Sequence, residues 1–240
     1  MNILILGYGK MGKIIGEIAE GRGHHLSAKI NIENVDELDR LDVSSIDVAI
    51  EFSQPESAFD NVMWCLDKGI PVVSGTTGWL DKFPMVEDKC KASNGTFFYA
   101  SNYSVGVNIF FRVNRFLSGL MKNQQDYRVY LEEIHHTEKK DAPSGTAITL
   151  AEGVLKHLQH LSGWKLADDS TLTEADLPIT ARRIDPAPGT HIVTYSSEID
   201  DIEIKHTAHS RMGFAQGAVL VAEWVRGKKG ILSMDDFLSL

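Results

Sequence analysis

Cysteine is nearly absent from this chain: Cys65 and Cys90 are the only two in 240 residues. Two thiols are too few for a disulfide scaffold, and they lack the spacing of a zinc site. Positive charge is also short, with 24 Lys and Arg against 33 Asp and Glu, a formal net charge of −9. That balance excludes the basic footprint of a nucleic-acid-binding protein, so an anionic ligand needs a local positive seat. No apolar run approaches the ~18 residues of a membrane span. The apolar stretch at the N-terminus is short, has no charged leader and meets a Gly-rich turn at once, unlike a signal peptide. A soluble, cytoplasmic protein is expected. Internal repeats and Pro-, Gly- or Ser-rich linkers are lacking too. What remains is ordinary globular material, 43% hydrophobic and 24% charged, long enough for one large domain or two small ones.

Asn2–Leu6 is a short apolar run, the pattern of a strand buried on both faces. A helical stripe of Met11, Ile14, Ile15 and Ile18 follows, stopped by Gly21-Arg22-Gly23. Further strands are expected at Leu26–Asn31, Asp47–Phe52 and Ile70–Val73, with a helix through Phe59, Val62, Met63 and Leu66 before the last. Strand–helix alternation of this kind predicts a parallel sheet covered on both faces. After about Ser104 the texture changes. A helix from Val107 to Met121 leads to a strand, Tyr127–Ile134, and then to a helix with Ala147, Ala151, Val154, Leu158 and Leu161 as its stripe. Gly163–Asp176 is polar and reads as loop. Strands at Ile179–Ile184, His191–Ser197 and Ile202–Ala208 come without intervening helices, which suggests a mixed or antiparallel sheet in a second domain. The helical tail, Phe214–Val225, suits packing back on the first domain.

Gly7-x-Gly9-x-x-Gly12, between the first strand and the first helix, has the form of the dinucleotide fingerprint. Glycine is demanded there because the turn is tight and backbone N–H groups must approach a pyrophosphate, beside the partial positive charge of a helix N-terminus. At the end of the second strand, where an acid would hold the adenosine ribose, stands Asn31, with Glu33 just beyond. Asn bonds a ribose hydroxyl without repelling a 2′-phosphate, and Lys10, Lys13 and Lys29 would favour that phosphate. NADPH and NADH both remain open. Gly75-Thr76-Thr77-Gly78 follows the fourth strand, either as a plain turn or at the carboxyl edge where parallel sheets bind ligands.

The richest segment runs from Glu133 to Ala147. Its adjacent histidines, His135 and His136, point to opposite faces of a strand, and no third ligand stands at suitable spacing, which argues against a metal. One reading is a solvated charged loop. Against it, Pro143 is shaped for a first helical turn, and Ser144-Gly145-Thr146 would present free N–H groups there, a seat for carboxylate or phosphate. A histidine and a lysine just upstream are well placed as proton donors to an anion in that seat. Farther on, Arg211 suits an indirect role bracing the joint between domains better than a plain surface charge.

The run from Glu133 to Ala147 resembles the signature of the 4-hydroxy-tetrahydrodipicolinate (dihydrodipicolinate) reductase family of lysine and diaminopimelate biosynthesis. The likeness extends over nearly the whole chain. The glycine loop, Phe52-Ser53-x-Pro55, Gly75-Thr76-Thr77-Gly78, Ala100-Ser101-Asn102-Tyr103-Ser104-Val105-Gly106-Val107-Asn108 and Ser210-Arg211-Met212 stand in the family's order. The resemblance implies an α/β enzyme in two domains. A Rossmann-like dinucleotide-binding domain would span 1–104, completed by 212–240. An α+β domain with a mixed sheet, 105–211, would bind substrate and mediate assembly, usually into a homotetramer.

The implied substrate is a small cyclic imine with two carboxylates. It loses its ring hydroxyl as water and accepts hydride at ring carbon 4 from NADPH or NADH, with substrate and nicotinamide meeting in a cleft that closes between the domains. Carried over, His135 and Lys139 are the proton-transfer pair, and Lys139 also offsets charge developing as hydride adds. His136, with Ser144, Gly145 and Thr146, would hold a substrate carboxylate. Gly7, Tyr8, Gly9, Lys10, Met11 and Gly12, with Asn31, Gly75, Thr76, Thr77, Ala100, Ser101, Asn102 and Tyr103, would line the dinucleotide. The chain departs from the family in a shorter link from Asn31 to Asp47 and in having Asn31 where an acid is usual. Two rivals differ in class: another Rossmann nicotinamide reductase, which would not need the carboxylate seat, and a non-catalytic NAD(P)-binding regulator, which would not need both His135 and Lys139.

Overall fold

The computed structural model describes residues 1–210 and 212–239. The chain divides into two compact units, Met1–Val105 with Met212–Leu240, and Gly106–Arg211.

The first unit is built on β1 (Asn2–Leu6), α1 (Lys10–Gly21), β2 (His25–Ile30), β3 (Val48–Glu51), α2 (Pro55–Asp67), β4 (Val72–Ser74), α3 (Phe83–Ala92) and β5 (Thr96–Tyr99). Its strands pair only in parallel, in the order β2-β1-β3-β4-β5 with a sixth, late strand beyond β5. The pleat of β1 explains the layering. Ile3 and Ile5 face a core shared with Ile15 and Ala19 of α1, while Leu4 and Leu6 face one shared with Val62 and Leu66 of α2 and Val86 of α3. The expected doubly covered parallel sheet is present. Between Asn31 and Asp47 the chain makes only two short 3-10 turns, at Val35–Arg40 and Val43–Ser45.

The second unit carries α4 (Val105–Met121), β6 (Arg128–His135), α5 (Gly145–Leu155), β7 (Gly163–Leu166), β8 (Asp176–Arg183), β9 (Gly189–Ser196) and β10 (Asp201–Ala208). The sheet runs β10-β9-β6-β8-β7 and is mixed: β6 pairs β8 in parallel and β9 antiparallel. Its helix-covered face holds Leu131, Ile179, Val193 and Tyr195 against Phe110 of α4 and Leu150, Ala151 and Val154 of α5.

The chain then returns to the first unit as α6 (Met212–Trp224), β11 (Gly230–Leu232) and α7 (Met234–Phe237). There Ala215, Ala218, Val219 and Ala222 join the core that holds Ile3, Ile15 and Ala19, and β11 pairs in parallel with β5.

Three expectations are corrected. The stripe of α5 ends at Leu155, so Leu158 and Leu161 lie beyond the helix, although Leu158 is buried in the same core. The polar stretch after Gly163 opens with an edge strand, β7, whose four residues are all half-buried. Pro143 precedes the helix rather than entering it, because Ser144 is the N-cap: its backbone is extended and its hydroxyl accepts the Ala147 N–H.

Candidate active site

In the first unit the sheet order reverses between β1 and β3, the place where open parallel sheets leave a crevice for ligands. Gly7 follows β1 there with φ +95, and a β-carbon on it would run into the Phe52 carbonyl. A β-carbon on Gly12 would strike the Gly7 carbonyl, so the turn and α1 are pressed together. Gly9 is different. It is the helix N-cap, nothing lies within 4 Å of where its β-carbon would stand, and the first turn of α1 carries no acid. An uncapped, unshielded helix N-terminus with Lys10 and Lys13 at its start is suited to a pyrophosphate. The residues present therefore fit a dinucleotide.

The neighbouring loops are held by a buried carboxylate. Glu51, fully enclosed at the end of β3, accepts the Ser74 hydroxyl at 2.6 Å, the Thr76 hydroxyl at 2.9 Å and the Ser53 N–H at 2.9 Å. Thr76 thus spends its hydroxyl on the fold. Tyr103 is committed likewise. Its ring is 2% exposed, packs on Phe52 and Phe98, and donates its hydroxyl to the Ser74 carbonyl at 2.6 Å. Its side chain belongs to the core, and Ala100, three residues before it, is also buried. Thr77 and Ser101 are exposed, and Asn102 uses its carboxamide oxygen to accept the Ser104 N–H at 2.9 Å. Asn31 follows β2 directly; its Oδ1 accepts the Glu33 N–H at 2.7 Å, which leaves the amide nitrogen as its donor end. Lys29 lies over the Tyr8 ring at 5.2 Å and 3.5 Å from Glu20, so it is already partnered.

In the second unit the inward row of β6 runs Val129, Leu131, Glu133, His135, alternate residues of one pleat. The row starts in the apolar core and ends in two polar groups, both buried. The adjoining strands finish the same way. His191 of β9 is the register partner of Glu133, and Arg183 of β8 is the partner of His135.

Glu133 Oε2 lies 2.5 Å from His135 Nδ1, off the axis of a straight hydrogen bond. Glu133 Oε1 accepts Arg183 Nη2 at 3.0 Å and the Ser144 N–H at 3.2 Å. Burial pushes the Glu133 carboxyl up, but His135, Arg183 and Ser144 outweigh it and hold the carboxyl at about 2. His191 Nε2 stands 3.0 Å from the Ser144 hydroxyl, and its ring meets that of His135 edge-on, with centroids 5.1 Å apart. Burial, then the charge of His135, lowers His191 to about 3, so this ring is neutral at physiological pH. Glu133, His135 and His191 bring one ligand-type atom each within 4.8 Å of one another, but the group carries its own cation, Arg183, on the carboxylate.

The loop from β6 to α5 is clamped by that same arginine. Arg183 donates to the Lys139 carbonyl at 3.2 Å and the Asp141 carbonyl at 2.6 Å. Lys139 Nζ bonds both oxygens of Asp141, at 2.7 and 2.6 Å, which lowers the Asp141 carboxyl. Thr137 is tied through its N–H and hydroxyl to Asp185, at 3.0 and 2.6 Å. His135, His136, Lys139, Gly145 and Thr146 therefore sit on one braced segment. Ser144, expected among the substrate contacts, has its N–H on Glu133 and its hydroxyl on His191 and Ala147, and is 3% exposed. The N–H groups of Gly145 and Thr146 belong to the first turn of α5 and have no intrahelical carbonyl to bond. A β-carbon on Gly145 would meet nothing within 4 Å.

Glu133, Arg183 and His191 are the polar neighbours of this site that sequence reasoning passed over. For Glu133 the alternation along β6 was an available signal, whereas Arg183 and His191 become neighbours only through strand pairing. Arg211 lies outside the described residues.

Residues 1–103 match the sequence model of "Dihydrodipicolinate reductase, N-terminus" and residues 106–238 that of "Dihydrodipicolinate reductase, C-terminus". The chain belongs to the dihydrodipicolinate reductase family. A 4-hydroxy-tetrahydrodipicolinate reductase from Christiangramia forsetii is 51% identical over 241 residues, covering 100% of this chain and 98% of that protein. One from Methanosarcina barkeri is 35% identical over 95% of this chain and 86% of that protein. Among solved structures, a dipicolinate-bound dihydrodipicolinate reductase from a Paenisporosarcina species superposes with a TM-score of 0.78 over 97% of both chains. Its 20% identity makes that a likeness of fold. The dihydrodipicolinate reductase family thus covers both units of the chain, the parallel Rossmann-like sheet and the mixed sheet alike.

Proposed function

We propose that this chain is a 4-hydroxy-tetrahydrodipicolinate reductase, converting that substrate with loss of water into tetrahydrodipicolinate in lysine and diaminopimelate biosynthesis. NADH or NADPH supplies the hydride when bound, seated on the Gly7–Gly12 turn and bordered by Asn31, Thr77, Ser101 and Asn102 with the backbone of Gly75, Thr76, Ala100 and Tyr103. The observation that carries the reading is the braced join of β6 to α5. It puts a buried imidazole, His135, an ammonium, Lys139, and the open N-terminus of α5 on one short segment.

In this reading Gly145 and Thr146 N–H, with His136, hold a substrate carboxylate, and Ser144 sets their position by capping the helix. Hydride addition at ring carbon 4 moves an electron pair into the conjugated ring, and a proton must meet it. His135 and Lys139 are the groups placed to deliver that proton or to offset the charge before it arrives. The first unit is the dinucleotide domain and the second the substrate and assembly domain.

A homotetramer in the cytoplasm belongs to the same proposal. Two features support it: a row of exposed apolar side chains on α4, Ile109, Val113, Phe116 and Leu120, and two buried free thiols suited to a reducing compartment. Light scattering on a sizing column tests the assembly, and a monomer would contradict it. The activity is tested by generating the substrate from pyruvate and aspartate semialdehyde with the preceding synthase and following nicotinamide absorbance. Synthase-dependent oxidation of NADH or NADPH is expected, and none from folded protein overturns the assignment.

A further inference from the structure

Glu133 is neither a proton donor to substrate nor part of the carboxylate seat, yet among the described residues it is the most enclosed charge of the second unit and touches both His135 and Ser144. We propose that Glu133 is the positioning residue of the reaction: it fixes which nitrogen of His135 carries the transferable proton. The inference rests on the role given above to His135.

The argument is one of donors and acceptors. An ionised carboxylate only accepts, and neither Glu133 Oε2 nor His135 Nδ1 has another partner, so hydrogen on Nδ1 is what makes their 2.5 Å approach attractive, although it lies off the straight hydrogen-bond axis. The opposite nitrogen, Nε2, points away from the carboxylate, toward Gly189, where an added β-carbon would stand 3.1 Å from it. Nε2 is therefore the end that exchanges a proton with substrate, and the absence of a side chain at Gly189 leaves room beside it.

The surroundings agree. Facing the pair are Arg183 from β8, His191 from β9, and Lys139 with Asp141 from the following loop; His206 of β10 lies behind, opposite His191 in register. Arg183 holds the other oxygen of Glu133, and neutral His191 packs the ring of His135 without competing for its proton. The Ser144 N–H on Glu133 Oε1 ties the same carboxylate to the cap of α5. One residue thus sets the proton donor and the anion seat in a common frame.

Glu133→Gln separates orientation from folding. Its oxygen must stay with the two donors, Arg183 and Ser144, so its NH2 turns to His135 Nδ1. That nitrogen becomes an acceptor, and the ring is held neutral with its hydrogen on Nε2. The expected result is a fall in kcat of about 10²-fold, KM for substrate changed less than about threefold, and an alkaline limb of kcat displaced to lower pH. Nitrogen-15 shifts of the His135 ring, read on the whole chain near neutral pH, should show Nδ1 protonated in the wild type and unprotonated in E133Q. Glu133→Asp keeps the charge and should retain the protonated Nδ1 and the wild-type limb.

An unchanged pH profile in E133Q, or an unprotonated Nδ1 in the wild type, overturns the inference. The second readout stands even if E133Q does not fold. Failure of the underlying reading looks different, since the wild type itself would then not turn over in the coupled assay.

Discussion

Arg183 and Glu133 face each other across β8 and β6 at 3.0 Å, and the same guanidinium reaches on to the Asp141 carbonyl at 2.6 Å. A buried carboxylate stripped of its cation keeps its desolvation cost and loses its compensation. Arg183→Met is therefore expected to destabilise the second unit by about 3 kcal/mol. Lysine is no replacement, because a point charge cannot reach Glu133 and two carbonyls at once. Combining Arg183→Met with Glu133→Gln should cost less than the two singles summed, as read from denaturant midpoints. Simple additivity would show that the two side chains do not act as a pair.

Acid should weaken this unit in two stages. His191 is held at about 3 in the fold. The unfolded chain takes up that proton first, near the ordinary value of ~6.5, so stability present above that pH is lost on descending toward 3. Glu133, held at about 2, adds stability present above the ordinary carboxylate value, lost as pH falls through the folded one. Both groups make the unfolded state bind more protons. His191→Gln should flatten the upper stage and leave the lower. A stability curve unchanged between pH 6 and 4 in that variant would contradict the assignment.

The glycine turn offers a test that separates fold from binding. Gly9→Ala meets no neighbour and has an ordinary φ of −85, so the melting temperature should hold. Its methyl would nonetheless stand where the pyrophosphate approaches, and dinucleotide affinity should fall about tenfold or more. Gly12→Ala, whose methyl meets the Gly7 carbonyl, should lower both. Calorimetric titration with melting curves reads the pair, and unaltered affinity in Gly9→Ala would remove the turn from the cofactor site.

The proposed place of Asn31 beside the adenosine ribose makes it the residue on which to test the choice of cofactor. Asn31→Asp keeps an oxygen to accept the Glu33 N–H but adds a charge that repels a 2′-phosphate. The NADPH-to-NADH ratio of kcat/KM should drop about tenfold, roughly 1.4 kcal/mol. An unchanged ratio would move the discrimination elsewhere, with Lys10 and Lys13 next in order.

Much of this was legible in the sequence where the deciding residues are neighbours in the chain. The Gly7–Gly12 turn announces itself because a tight, close-approach backbone tolerates only glycine, and the segment from His135 to Thr146 carries donor, cation and helix start within a dozen positions. The short strands were less visible. β5 is a bare four-residue apolar run, β7 is a half-buried edge, and α3 begins at Phe83-Pro84 with a sparse apolar stripe. Arg183 and His191 escaped because only the register of β8 and β9 against β6 brings them to Glu133. Tyr103 and Ser144 show the opposite limit: they stand inside motifs, yet the sequence does not reveal that each side chain is turned inward to hold a neighbour.

The most direct test of the account is Lys139→Ala in the synthase-coupled assay, with dinucleotide affinity measured on the same protein. Lys139 belongs to the second unit and the glycine turn to the first, so turnover should fall by about 10²-fold or more while cofactor affinity stays at the wild-type value. An equal loss of both, or wild-type turnover, would contradict the placement of the proton-transfer chemistry on the β6–α5 segment.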